Sequence, residues 1–153
     1  MEPHPSTSDQ AFLADLRRHR AELRESMSAL EDALAAPATA PPWAPRLHAA
    51  LVELAADFRT HIDITEGPNG LYSDLLKTSP RLSESVASLI REHALICRQV
   101  DNLLARVTAS DGIEDVDRVR DLGMAILGRL VRHRQRGSDL VFEAYEFDIG
   151  GET

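Results

Sequence analysis

Apolar residues recur every three to four positions along four long stretches of this chain, the period of a helix that buries one face. The first stretch runs from about Ser8 to Ala36 and carries Phe12, Leu16, Leu23, Met27, Leu30 and Leu34. The second, from about Pro45 to Glu66, carries Leu47, Leu51, Leu54, Phe58 and Ile62. The third opens at Ser79-Pro80, a cap followed by proline at the first helical position. It reaches about Ala109 through Leu82, Val86, Leu89, Ile96, Val100, Leu103 and Val107. The fourth ends near Tyr145 and carries Val119, Leu122, Ile126, Leu130, Leu140 and Ala144. Thr7 with Gln10, and Asp111 with Glu114, have the spacing of capping boxes. The proline-rich segment from Pro37 to Pro45 and the run Gly67-Pro68-Asn69-Gly70 are breaks, and a short helical turn at Leu71–Lys77 follows the second. No stretch alternates apolar and polar residues as a strand would. The pattern predicts an all-α fold, an antiparallel up-down four-helix bundle. It is one domain over residues 1–153, with 1–7 and 148–153 as flexible termini.

Histidine breaks the apolar pattern once in each helix. The seams read Leu16, His19, Leu23; Phe58, His61, Thr65; Leu89, His93, Ile96; and Leu130, His133, Leu140. Counted from the ends of their helices at ~1.5 Å per residue, His19 and His61, and likewise His93 and His133, fall at similar depths. For His61 and His93 to meet, the segment between Gly67 and Ser79 must climb about two turns of a 3.6-residue helix. A buried imidazole needs partners for both ring nitrogens. Four in one layer satisfy one another poorly. A metal ion takes one nitrogen of each ring and leaves the other for a carboxylate or carbonyl. Imidazole suits iron, zinc, copper and nickel. Taken singly, each seam histidine also reads as a hydrogen-bonded core residue. Cys97, one turn after His93, reads more readily as a small core residue than as a thiolate ligand. Asp15 and Asp57, each four residues before a seam histidine, are candidates to hold a ring nitrogen.

These residues resemble the hemerythrin family in its bacterial hemerythrin-like (HHE cation-binding) branch. The likeness lies in the segment from Leu16 to Leu23 around His19, in the segment from His61 to Glu66, and in Gly70-Leu71-Tyr72. It continues in Glu92-His93 and His133, and in the stretch from Gly137 to Gly151. The resemblance implies a bundle with non-haem iron, two ions per chain, that binds or senses O2 or a related small ligand. It places His19, His61, His93 and His133 at ligand positions. The bridging carboxylates of that family have no direct counterpart: Thr65 and Gly137 or Ser138 stand there, with Glu66 and Asp139 just beyond. Glu66 and Asp139 complete the candidate ligand set. A single ion, or zinc, is the variant reading. Two other functions stay open: a di-iron oxidase or peroxide-handling enzyme on the same scaffold, and a degenerate metal-free bundle acting as a ligand or partner module.

Charge narrows the partners. Lys+Arg is 17 against 25 Asp+Glu, a formal net charge of -8, which argues against phosphate backbones and anionic lipid. No apolar run approaches the ~18 residues of a membrane span. The one cysteine cannot form an internal disulfide. The polar start is unlike a signal peptide, so a cytoplasmic protein free of nucleic acid and membrane is expected.

Overall fold

The computed structural model describes residues 7–40, 42–109 and 112–145, the side chains at 7–9 and 12 excepted. It contains four long helices: α1 (Thr7–Ala35), α2 (Trp43–Glu66), α4 (Ser83–Val107) and α5 (Val116–Phe142). A short α3 (Leu71–Thr78) and a 3-10 turn (Pro80–Leu82) lie between α2 and α4. Among the described residues there is no strand. The expected mobile ends, apart from Thr7, lie outside the described residues, as do Asp111 and the side chains of Thr7 and Phe12.

The four long helices form a closed ring of contacts, α1 on α2, α2 on α4, α4 on α5 and α5 on α1. Side chains fix the up-down sense. The Trp43 indole at the start of α2 donates to the Ala33 carbonyl near the end of α1 at 2.8 Å. Arg120, early in α5, donates to the Leu34 and Ala36 carbonyls at 3.1 and 3.0 Å. These bonds occupy helix-end carbonyls that have no partner within their own helix. The fourth helix starts later than the capping-box spacing predicts. Asp115 is the cap, its carboxylate accepting from the Arg118 backbone N–H at 3.0 Å. Gly112 precedes it at φ 82°, a left-handed conformation that glycine adopts without penalty.

Two apolar clusters divide the interior. The larger holds Leu30, Leu47, Leu51, Leu54, Phe58, Ile96, Leu103, Ile126 and Leu130 among others, drawn from all four long helices. Burying each such side chain contributes about 1.5–3 kcal/mol before entropy is counted. The smaller cluster joins Tyr72 and Leu75 of α3 to Leu82, Val86, Leu89, Leu140 and Ala144 at the opposite end. The eight residues of α3 supply the two-turn climb that the histidine spacing requires. The turn into α3 depends on Gly70. A Cβ there would meet the carbonyl oxygens of Ile64, Thr65 and Gly67 at 2.7, 2.8 and 2.9 Å.

Candidate metal centre

The layer between the two apolar clusters is polar. His61 enters it from α2, His93 from α4 and His133 from α5. The last two are 1% and 2% exposed, while His61 is half-buried. The apolar stripes rotate all three inward: Phe58 precedes His61 by three residues, Leu89 precedes His93 by four, and Leu130 precedes His133 by three. Their Nε2 atoms converge. His93 Nε2 lies 3.0 Å from His133 Nε2, and His133 Nε2 lies 3.2 Å from His61 Nε2. One ligand atom from each ring fits within 4.8 Å of the others, and this is the cluster of metal-ligand type found among the described residues.

The far nitrogens face carboxylates. His133 Nδ1 is 2.7 Å from Glu92 Oε1, and His93 Nδ1 is 2.5 Å from Glu66 Oε2. Glu92 is 8% exposed, and its other oxygen accepts from Arg136 Nη1 at 2.7 Å, with Arg129 Nη1 3.9 Å away. The carboxylates therefore orient rings; they do not join the Nε2 convergence. Aromatic groups close the layer. Phe58 stacks on His61 at 5.5 Å and meets His93 and His133 edge-on. Tyr72 stacks on His93 from the α3 side at 6.0 Å. Thr65 turns its hydroxyl back to the His61 carbonyl at 2.9 Å.

This arrangement poses a proton problem. A neutral imidazole has one N–H. Donation from Nδ1 to a carboxylate leaves Nε2 as a bare lone pair, so His93 and His133 point two lone pairs at each other across 3.0 Å. A proton is a poor filler. Burial, with the adjacent imidazoles, pushes His61 and His93 down to about 3, and burial lowers His133 as well. A divalent cation resolves the conflict. Two nitrogens that share an ion at ~2.1 Å lie about 3.0–3.4 Å apart for bond angles of roughly 90–109°. The His93–His133 and His133–His61 separations of 3.0 and 3.2 Å fall within that range, and with the three ligand atoms all within 4.8 Å of one another the donor set is of a kind that could hold a metal ion.

Of the six residues expected at the centre, the fold brings three imidazoles together and leaves three residues out. His19 turns its Nδ1 to Glu22 at 3.2 Å, with its side chain 26% exposed. Glu66 sits behind His93. Asp139 is exposed and accepts from Gln135 at 2.9 Å; its position beyond Gly137 carries it out of the seam, and no bulge in α5 returns it. Asp15 pairs with Arg18 and Asp57 accepts from Ser26, so neither holds a ring nitrogen. Cys97 packs against the larger apolar cluster, its thiol pushed up by burial. Tyr145 is exposed. Glu92 and Arg136 join the histidine cluster through hydrogen bonds; sequence reasoning named Glu92 only as the neighbour of His93 and passed over Arg136. The available signal was an acid three residues after Leu89 on the buried face of α4.

No family model matches this sequence, and no curated protein or solved structure is significantly similar to it.

Proposed function

We propose that this chain is a metal-binding four-helix bundle of hemerythrin-like type. His61, His93 and His133 hold a non-haem ion, iron in the first instance, and present it to O2 or a related small ligand. The observation that carries this reading is the approach of His93 Nε2 to His133 Nε2 at 3.0 Å, with a carboxylate oxygen against the opposite nitrogen of each ring. The residues brought together support one ion per chain, since Glu66 and Glu92 are occupied with ring nitrogens and His19 lies apart. Three neutral imidazoles leave coordination positions for a small ligand, and reduced iron supplies the affinity for O2.

The chain's own contribution is ligand orientation and exclusion of water. Glu92 holds His133 in the tautomer that frees Nε2, and Arg136 neutralises Glu92. Glu66 does the same for His93. Phe58 and Tyr72 cover the rings on two sides. The test is anaerobic titration with ferrous iron and, separately, with zinc, followed by admission of air. Binding near one ion per chain, lost in His133→Ala, with an O2-dependent visible band for iron, is expected. Tight zinc binding with no retained iron would replace iron by zinc and end the O2 reading. Failure to retain either ion would overturn the proposal.

A further inference from the structure

Large apolar side chains that face solvent are unevenly spread over this molecule. Leu13, Val52 and Ile90 lie singly on α1, α2 and α4, and single exposed apolar residues are ordinary. Met124, Val131, Phe142 and Tyr145 instead fall on α5 or just past its end, at 47–58% exposure. Helical periodicity gathers them. At roughly 100° per residue Met124, Val131 and Phe142 point within about 20° of one another. They form a strip about 27 Å long at ~1.5 Å per residue. Gly128 and Gln135 fill the intervening three- and four-residue steps, the rhythm of a helix that packs along a second helix. Met124 and Val131 belong to neither apolar cluster of the interior. Among the described residues a Cβ at Gly128 would meet only Arg132 Nη1, at 3.5 Å, so another backbone can come close there.

The charges beside the strip select its occupant. Arg132 and Asp139 are exposed and stand seven residues apart on one flank. Arg129 and Arg136 turn away from it toward Glu92. Lay a second α5 antiparallel, with the two-fold axis near Arg136. Val131 of each copy then faces Phe142 of the other, and Arg132 of each copy comes beside Asp139 of the other. Both contacts occur twice, as an isologous pair requires. A parallel copy sets Arg132 against Arg132 and Asp139 against Asp139. The antiparallel register that places Met124 on Phe142 also brings the two Arg132 side chains together. Like charges placed in this way oppose association, so one register of one orientation matches apolar to apolar and basic to acidic.

We infer that the outer face of α5 is a self-association surface, on which two copies of this chain pair antiparallel about an axis near Arg136. The surface lies outside the polar layer, and the inference makes no use of a metal. A strip of this size belongs with small, reversible interfaces, with a dissociation constant of about 10–500 μM.

The test is sedimentation equilibrium of the full chain up to about 1 mM, above that range. Chelator is present to keep the metal centre out of the measurement, and reductant to keep Cys97 from linking copies. A reversible monomer–dimer equilibrium is expected. Val131→Glu should weaken it at least about tenfold, a loss of ~1.4 kcal/mol. Val52→Glu, at an equally exposed apolar position on α2, should associate as wild type does. Charge reversal supplies the sharper readout. Arg132→Asp and Asp139→Arg should each weaken the dimer, and the double variant Arg132→Asp/Asp139→Arg should restore it. All these positions are exposed, and unchanged far-ultraviolet circular dichroism checks that each variant folds. A wild-type chain that stays monomeric throughout would overturn the proposal. If removal of residues 146–153 then produced a dimer, the strip would belong to that segment. A dimer weakened equally by Val52→Glu, or charge reversals that fail to compensate each other, would also overturn it.

Discussion

His93 and His133 bring their Nε2 atoms within 3.0 Å while each turns its Nδ1 to a different carboxylate, Glu66 and Glu92. The relationship has an energetic consequence. Without a cation the buried rings face each other with unsatisfied acceptors, and an ion that binds only the folded chain must stabilise it. At a free metal concentration a hundred times the dissociation constant, the gain is about 2.7 kcal/mol. For a chain of this size that raises the melting temperature by roughly 5–10 °C. Thermal scans with metal and with chelator should differ by that amount, and equal scans would exclude a site in the folded state.

Removing histidines one at a time should separate the three seam positions that converge from the one that does not. His61→Ala, His93→Ala and His133→Ala should each weaken metal binding by orders of magnitude. His19→Ala should leave affinity close to wild type, because its ring is partly exposed and faces Glu22. Metal titration by calorimetry checks this. A His19→Ala variant as impaired as His133→Ala would require a different geometry.

Glu92 acts through His133. Glu92→Gln keeps the shape but gives up a charged acceptor for Nδ1–H and the charge facing Arg136. Loss of such a partner lowers metal affinity about 10–100-fold. Competition with a chromophoric chelator gives the number, and the far-ultraviolet circular dichroism of the variant should match wild type.

The acid limb of stability should be steep in the metal-free protein. The rings of His61 and His93 have ordinary values of 6.5 and fall to about 3 in the fold, through burial first and neighbouring imidazoles second. Below 6.5 the unfolded chain takes up protons that the folded chain refuses, so stability drops as pH falls. The slope is about 1.4 kcal/mol per pH unit for each ring that behaves this way. The effect is absent above that range and ends near pH 3, with Glu66, raised by burial, opposing it in the acid region. Denaturant melts at stepped pH measure the slope. A flat profile between pH 6.5 and 4.5 would contradict the burial of neutral rings.

Phe58 supports the rings from below and is 1% exposed. Phe58→Ala should cost about 3–5 kcal/mol in chemical unfolding, and should loosen metal binding because His61 loses its stacking platform.

The bundle was legible because burial on one side of a helix imposes a period that Leu47, Leu51, Leu54 and Phe58 display directly. The breaks were legible too, since Gly67-Pro68 cannot continue α2. Three of the four seam histidines converge as the depth count anticipates, and α3 provides the climb that the count demands. His19 shows the limit of that reasoning. Leu16 is only half-buried and Leu13 exposed, so α1 has not yet entered the core at that level, and a one-helix period does not report how closely a helix end approaches its neighbours. The Glu92–Arg136 pair was hidden for a different reason. It depends on which residues of α4 and α5 face each other across the bundle, a relation that neither helix carries alone.

X-ray absorption on iron-loaded protein, with the metal counted in the same sample, tests the central claim most directly. Three imidazole nitrogens around close to one ion per chain are expected, with the imidazole signal lost in His93→Ala. Metal present without imidazole scattering, or an unchanged spectrum in His93→Ala, would contradict the account.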